Sequence, residues 1–347
     1  MTTPLAPESL FEISADRVLL DVRTPAEFAH GHIPGAVNLP LFSDEERVEV
    51  GTLYKQAGPS NALLKGLDFV GSKMSGFIRQ ANKLAPGRKV AVHCWRGGKR
   101  SGSMAWLLDF ADFDVQVLQG GYKAYRQYIL KSFFERRFEI LIVGGHTGSG
   151  KTEVLYELQR RGEYMLDLEK LAHHKGSSFG ALGETPQPTV EQFENDLFEA
   201  IRRIPEGARV WIEDESQAIG RVYIPPGFWE QMSTARMIRM DMPLEIRVKK
   251  LVATYADFPR SALAESFERI RKRLGGQHLK AALEALDRND SDTAAEIALR
   301  YYDKAYANTQ SRRAAELITP VEIPFDDASK AAELLIETAT KQQTHAN

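Results

Sequence analysis

Two stretches of this 347-residue chain set reactive side chains beside turns suited to anions. The first is His93-Cys94-Trp95-Arg96-Gly97-Gly98-Lys99-Arg100-Ser101, which holds the chain's one cysteine. An apolar run precedes it and helical spacing follows it, so it is a strand-to-helix loop. Backbone N–H groups in such a loop turn inward as an anion nest, and the two glycines let the chain curl tightly. Residues 88–100 carry five bases and no acid. N–H groups and cations both favour thiolate over thiol, and the thiolate is the nucleophile. Cys94 is thus a candidate catalytic residue, and Trp95, Arg96, Gly97, Gly98, Lys99, Arg100 and Ser101 are its candidate anion loop. A Cys-x5-Arg spacing suits a tetrahedral oxyanion and leaves two chemistries open, phosphoryl hydrolysis and chalcogen transfer. A buried, inert cysteine is the plainer alternative.

The second stretch, Gly145-His146-Thr147-Gly148-Ser149-Gly150-Lys151-Thr152, satisfies G-x4-G-K-[ST] between a strong strand and a helix. Its amides would wrap a diphosphate, Lys151 would neutralise it, and Thr152 could reach a Mg2+ ion. Nucleotide hydrolysis is the usual use of such a loop, but any organic diphosphate meets its physical demand. Downstream, Val210-Trp211-Ile212-Glu213-Asp214-Glu215-Ser216 ends a strand in three acids. Side chains alternate along a strand, so three successive acids cannot all face one site. Glu213 or Asp214 is the expected second acid of the diphosphate site, with a surface acidic turn as the alternative. No metal-ligand set is certain: the adjacent His173 and His174 diverge on either a helix or a strand.

The elements that must position these loops are legible from periodicity. Residues 18–22, 89–93 and 115–118 are short apolar runs separated by helical spacing, a pattern of parallel strands with crossover helices. A second series opens with the near-continuous apolar run 138–143, typical of a buried parallel strand, and continues with strands at 164–167, 209–212 and 237–240. From residue 243 the chain reads as helical almost to its end. The expected fold class is α/β, with a parallel-sheet domain at 1–131, a P-loop α/β domain at 137–258 and a helical extension of it at 259–347.

Residues 236–280 hold eleven bases and five acids, and Arg269, Arg271, Lys272 and Arg273 cluster there. They suit either a solvated helix face or contacts to RNA phosphates, which give affinity without sequence information. Tyr302 and Tyr306, four apart on one helix face, are either core or a stacking surface for bases.

Composition bounds the rest. Lys+Arg is 45 and Asp+Glu is 47, a net charge of −2, which excludes a basic coat over the whole molecule but not a local patch. A single cysteine excludes an internal disulfide framework and a multi-cysteine metal site. No run of about 18 apolar residues exists, and the first ten residues lack the pattern of a signal peptide. A cytoplasmic protein without a membrane partner is the expectation.

Residues 20–28, Leu20-Asp21-Val22-Arg23-Thr24-Pro25-Ala26-Glu27-Phe28, and the turn Gly31-His32-Ile33-Pro34-Gly35-Ala36-Val37-Asn38 resemble the rhodanese homology domain. In that family these positions hold the scaffold together. Gln119-Gly120-Gly121-Tyr122-Lys123-Ala124-Tyr125 is similar to the family's closing turn, and the resemblance covers residues 5–130. Rhodaneses usually have the one-residue-shorter Cys-x4-Arg loop. The longer loop resembles rhodanese-derived phosphatases, so a cysteine phosphatase with a nucleotide-binding domain is the alternative reading.

Four stretches match one family together: residues 94–101, 144–152 and 167–180, and Glu213-Asp214-Glu215-Ser216 with Ile219-Gly220. With Val50-Gly51-Thr52-Leu53-Tyr54-Lys55, absent from plain rhodaneses, the whole chain resembles the tRNA 2-selenouridine synthase family. The resemblance implies a transferase acting on the wobble 2-thiouridine of tRNA. Its sulfur would be geranylated from geranyl diphosphate held by the P-loop and Lys151. Selenium from selenophosphate, handled by Cys94, would then replace the geranylated sulfur. The resemblance also implies no tightly bound cofactor, two cosubstrates, tRNA as partner and a selenophosphate-supplying enzyme as a further one.

Overall fold

The computed structural model describes residues 2–13, 15–255, 257–310 and 313–346. They form two compact units, one of residues 1–132 with 194–199 and one of residues 133–193 with 200–347.

The first unit holds β1 (Thr3–Leu5), β2 (Val18–Asp21), α1 (Pro25–His30), β3 (Val37–Asn38), α2 (Asp44–Gln56), α3 (Gly58–Gly71), α4 (Met74–Leu84), β4 (Lys89–His93), α5 (Lys99–Phe110) and β5 (Asp114–Leu118), and most of α6 (Gly121–Glu135). The strands form one parallel sheet in the order β1-β5-β4-β2-β3. The central strand β4 ends at His93, so Cys94 stands at a strand's carboxyl end, where open α/β sheets bind ligands.

The rhodanese-like signature near the start of the chain builds the support for that strand end. Asp21 and Arg23 are both buried, and the Arg23 guanidinium donates to both Asp21 carboxylate oxygens and to the Gly31 carbonyl. Its flat face lies 3.9 Å from the centre of the Tyr122 ring. The Asn38 amide donates to the carbonyls of Asp21 and Arg23. One desolvated charge pair thus fixes β2, the following turn and the start of α6 together.

The second unit holds β6 (Glu139–Gly145), α7 (Lys151–Arg160), β7 (Tyr164–Leu166), α8 (Leu168–Ala172), the ends of α9 (Val190–Ile201), β8 (Arg209–Glu213), the small hairpin β9 (Ala218–Ile219) and β10 (Val222–Tyr223), and α10 (Pro226–Thr234). It continues with β11 (Arg236–Asp241), α11 (Leu244–Tyr255), α12 (Arg260–Arg269), α13 (Arg271–Leu274), α14 (Gly276–Asp287), α15 (Ser291–Gln310), β12 (Ile318–Glu322) and α16 (Ala328–Ala346). Its main sheet is parallel, in the order β12-β11-β6-β8-β7.

One expectation is corrected here. The chain is not helical from residue 243 to its end, because β12 returns to the sheet and pairs with β11 from Met237↔Ile318 to Asp241↔Glu322. The strand is short, lies at the sheet's edge and contains Pro320, which lacks a donor and is tolerated there. The stretch after β7 begins with a helical turn capped by Asp167, whose side chain accepts from the Lys170 N–H at 2.8 Å. Among the described residues no helix is long and apolar enough to cross a membrane.

Arg23→Ala strands a buried carboxylate, which costs about 3–5 kcal/mol. Urea unfolding of the full chain should show a loss of that size in the first unit's transition. A loss under about 1 kcal/mol, as for an exposed pair, would show that Asp21 and Arg23 do not carry the scaffold.

Candidate active sites

The loop after β4 is shaped by glycines. Gly97 has φ +66°, and a Cβ on it would lie 3.0 Å from both the Gly120 nitrogen and the Leu118 carbonyl oxygen. Gly121, at φ +62°, would collide with the Cys94 carbonyl if it carried a Cβ. The two turns can therefore touch, and the N–H groups of Tyr122 and Lys123 donate to the carbonyls of Cys94 and Trp95, both at 2.9 Å.

The Cys94 side chain is 3% exposed and abuts the apolar core that contains Val92 and Met104. Its sulfur nevertheless has polar neighbours. Sγ lies 3.3 Å from the Ser101 hydroxyl, which also reaches the Gly98 carbonyl at 3.1 Å. Burial pushes the thiol pKa up. The Ser101 hydroxyl, the N–H groups of Arg96 and Ser101 and the Arg100 charge outweigh that and hold it below the ordinary thiol value. The sulfur is covered, but it is not set in an oily hole.

Of the other loop residues, Arg96, Gly98 and Lys99 are exposed and Trp95 is half-buried against Tyr122. Arg100 is not presented as a free fork. Its guanidinium donates to both Glu27 oxygens at 2.6 and 3.2 Å.

In the second unit Gly145, Gly148 and Gly150 all have positive φ, and β6 delivers them to the start of α7. Residue 145 lies so close to β11 that a Cβ there would be 3.1 Å from the Met240 carbonyl oxygen. Two distant side chains brace this loop. The buried Arg247 guanidinium donates to the Thr147 carbonyl at 3.2 Å while paired with both Asp303 oxygens at 2.8 Å. The Gly145 N–H donates to the Tyr306 hydroxyl at 2.9 Å. Lys151 Nζ donates to the Gly145 carbonyl at 3.1 Å, and His146 meets Tyr306 edge-on. Ser149 is buried beneath the loop.

The acids separate as strand alternation requires, though not into the single acid expected. Glu213, opposite Val143 in the register of β8 on β6, and Glu215, two residues on, share one side. Glu169, from the first turn of α8, joins them, and oxygens of the three lie within 4.8 Å of one another. Thr152 Oγ1 donates to Glu169 across 3.5 Å. Asp214 is turned toward Tyr306 and lies 3.8 Å from the Arg313 guanidinium. Burial, then the charges of Glu169 and Glu215, push the Glu213 carboxyl well up; burial and Glu169 push Glu215 up to about 8. The i, i+2 spacing of Glu213 and Glu215 was available in the sequence, whereas nothing local marks Glu169.

The P-loop and these acids form the polar end of a cavity of about 480 Å3. Lys175, Gly176, Ser177 and Lys250 add to that end. Most of the rest of the wall is apolar, with Phe179, Leu251, Tyr255, Leu263, Phe267 and the alanines of α15, and Thr254 and Ser291 are its polar members away from the P-loop. Helix α15 runs the length of the cavity, with Tyr306 at the P-loop, Tyr302 bonded to the Ser178 N–H at 3.1 Å, and Ala298 and Ala294 beyond. At 1.5 Å per residue, Tyr306 and Ala294 are about 18 Å apart along its axis. The two tyrosines thus belong to the cavity wall.

Arg269, Arg271, Lys272 and Arg273 are exposed around the end of α12 and in α13. Arg269 also donates to the Ser178 carbonyl at 3.0 Å, and Arg271 pairs with Glu268.

Comparison with known proteins meets this geometry from outside. Residues 7–128 match the rhodanese-like domain, and residues 138–325 match the family model described as the tRNA 2-selenouridine synthase AAA domain. A tRNA 2-selenouridine synthase of Sulfurovum sp. is 35% identical over 86% of this chain and 90% of its own length. One from Shewanella denitrificans is 35% identical over 88% and 92%. One from Nitrosomonas eutropha is 39% identical over 70% of this chain and 64% of its own. A rhodanese-like unit and a P-loop unit in one chain, each with its site at the ends of parallel strands, and relatives aligned through both, place the protein in the tRNA 2-selenouridine synthase family.

Proposed function

We propose that this chain is an enzyme that converts the wobble 2-thiouridine of tRNA to 2-selenouridine in two transfers, with geranyl diphosphate and selenophosphate as cosubstrates. Membership of the family supports tRNA modification. The observation that carries the finer reading is the single cavity joining a diphosphate loop to an apolar sleeve. A nucleotide would leave that sleeve facing sugar and base, whereas a prenyl chain fills it with hydrocarbon.

In the first transfer the thiocarbonyl sulfur attacks the carbon bearing the diphosphate, and the carbon–oxygen bond breaks. The P-loop amides and Lys151 hold the departing charge, and its neutralisation makes it a better leaving group. In the second, the selenium of selenophosphate attacks the carbon bearing the geranylated sulfur, the C–S bond breaks and geranylthiol leaves with a proton; water then cleaves the P–Se bond, releasing phosphate and 2-selenouridine. The loop around Cys94 suits the phosphate end of selenophosphate, and its thiolate stands beside that nest. Arg269, Arg271, Lys272 and Arg273, all exposed, would meet RNA phosphates. Mg2+ near Thr152 would add charge neutralisation at the diphosphate.

Thiolated tRNA incubated with both cosubstrates should yield selenouridine by nucleoside mass analysis. Cys94→Ala should accumulate the geranylated nucleoside, and Lys151→Ala should leave 2-thiouridine unconverted. Sulfur that stays unmodified with the wild-type chain would reject the reading. Ala298→Phe, which fills the sleeve about 12 Å from Tyr306, should abolish use of a ten-carbon prenyl diphosphate while sparing a five-carbon one. Equal loss of both would show that the sleeve does not measure the tail.

The thiol argument has its own check. Because the folded pKa of Cys94 is depressed, its thiolate persists to lower pH than that of a free thiol, and alkylation by iodoacetamide should keep its rate there. Ser101→Ala removes one hydrogen bond to the sulfur and should move the pH midpoint of alkylation up by about one unit, since one unit corresponds to about 1.4 kcal/mol. An unmoved midpoint would mean that the hydroxyl does not stabilise the thiolate.

A further inference from the structure

We propose that Glu169, Glu213 and Glu215 form a resident site for a hard divalent cation, Mg2+ or Mn2+, which the chain binds before any diphosphate arrives. The argument starts from an orphan. Glu213 is 1% exposed, and its Oε1 has no hydrogen-bond partner. A buried carboxylate oxygen without a donor or a cation is costly. It faces two further carboxylates, one from α8 and one two residues along its own chain, with oxygens of all three inside 4.8 Å. Oxygens around an octahedral Mg2+ at 2.0–2.1 Å stand about 3 Å apart when adjacent and about 4.2 Å apart when opposite. The cluster is therefore already the size of a coordination shell.

Its chemistry selects the ion. The three donors are carboxylate oxygens, with no His or Cys among them, which suits Mg2+ or Mn2+ over softer metals. The neighbouring backbone fits tightly around Glu215: a Cβ at Gly176, which has φ +64°, would lie 2.7 Å from that carboxylate. Thr152, 3.5 Å from Glu169, sits at the rim.

The site differs from the usual P-loop arrangement. There Mg2+ is held by one or two carboxylates and relies on the substrate's phosphates. Three protein carboxylates can hold the ion alone. The ion would also offset the crowding of three acidic side chains at the end of the cavity that receives an anionic ligand. The inference is independent of the prenyl reading, since it concerns only the diphosphate end and needs neither tail nor tRNA.

The test uses the full chain stripped with a chelator and titrated with Mn2+ alone, free Mn2+ being read by electron paramagnetic resonance. One ion per chain should bind, with a rise in melting temperature. Inorganic diphosphate should bind only to the loaded protein. Glu169→Gln and Glu215→Gln should each weaken Mn2+ binding by more than about tenfold, the lower bound seen for outer partners of a metal site. The metal-free Glu215→Gln chain should melt no lower than the metal-free wild type, because one of three crowded acidic groups becomes a neutral amide of the same shape that can donate to its neighbours, and this separates a lost site from a lost fold. Mn2+ taken up only together with diphosphate, wild-type binding in both variants, or a metal-free Glu215→Gln chain that melts lower would each overturn the proposal.

Discussion

Both candidate sites of this chain rest on one constraint: they lie where a parallel strand gives way to a helix and backbone N–H groups gather. A helix's first N–H groups have no intrahelical partner, and a parallel sheet sends its strand ends to one edge. The chain uses that edge twice, after β4 and after β6. At both places glycines replace side chains where turns must touch, and N–H groups turn inward: those of Arg96 and Ser101 reach the Cys94 sulfur, and that of Gly145 reaches the Tyr306 hydroxyl. The buried Asp21–Arg23 pair in the first unit and the Arg247–Asp303 pair in the second serve the same end, since each locks the backbone beside such a loop.

The two sites treat charge in opposite ways. Around Cys94 the neighbours are donors and cations, and the Glu27 carboxylate is turned to Arg100 instead of the sulfur. That balance keeps a covered thiol ionisable. Around the P-loop, three carboxylates crowd the space beside Lys151, and burial drives their proton affinities up. One environment favours holding a negative charge on sulfur; the other is set to draw in positive charge. The two transfers proposed for this chain would need both, one to expel a diphosphate and the other to handle a selenium nucleophile.

Much of this was legible in the residues. Both loops are local motifs between elements of clear periodicity, so strands and loops fell where the spacing put them. Tertiary placement was harder to read. Strand β12 carries an edge strand's weak alternation and a proline, and it resembles a connection until a sheet is there to receive it. Glu169 reaches Glu213 only because α8 folds back over the carboxyl end of β8. Alternation correctly separated Asp214 from Glu213, but it equally pairs Glu213 with Glu215, and that half of the rule named the missed acid. The tyrosines of α15 carry no local sign of whether their hydroxyls meet RNA or protein.

The Tyr306 hydroxyl that receives the Gly145 N–H also ties the P-loop to the helix lining the sleeve. A prenyl diphosphate, if bound as proposed, would therefore have its tail and head gauged by one rod. An occupant that wedges α15 along its axis shifts an acceptor at the diphosphate end, and a grip on the diphosphate steadies the far wall in return, since such coupling is reciprocal. Fit at either end of the cavity is felt at the other without any residue between them having to move on its own.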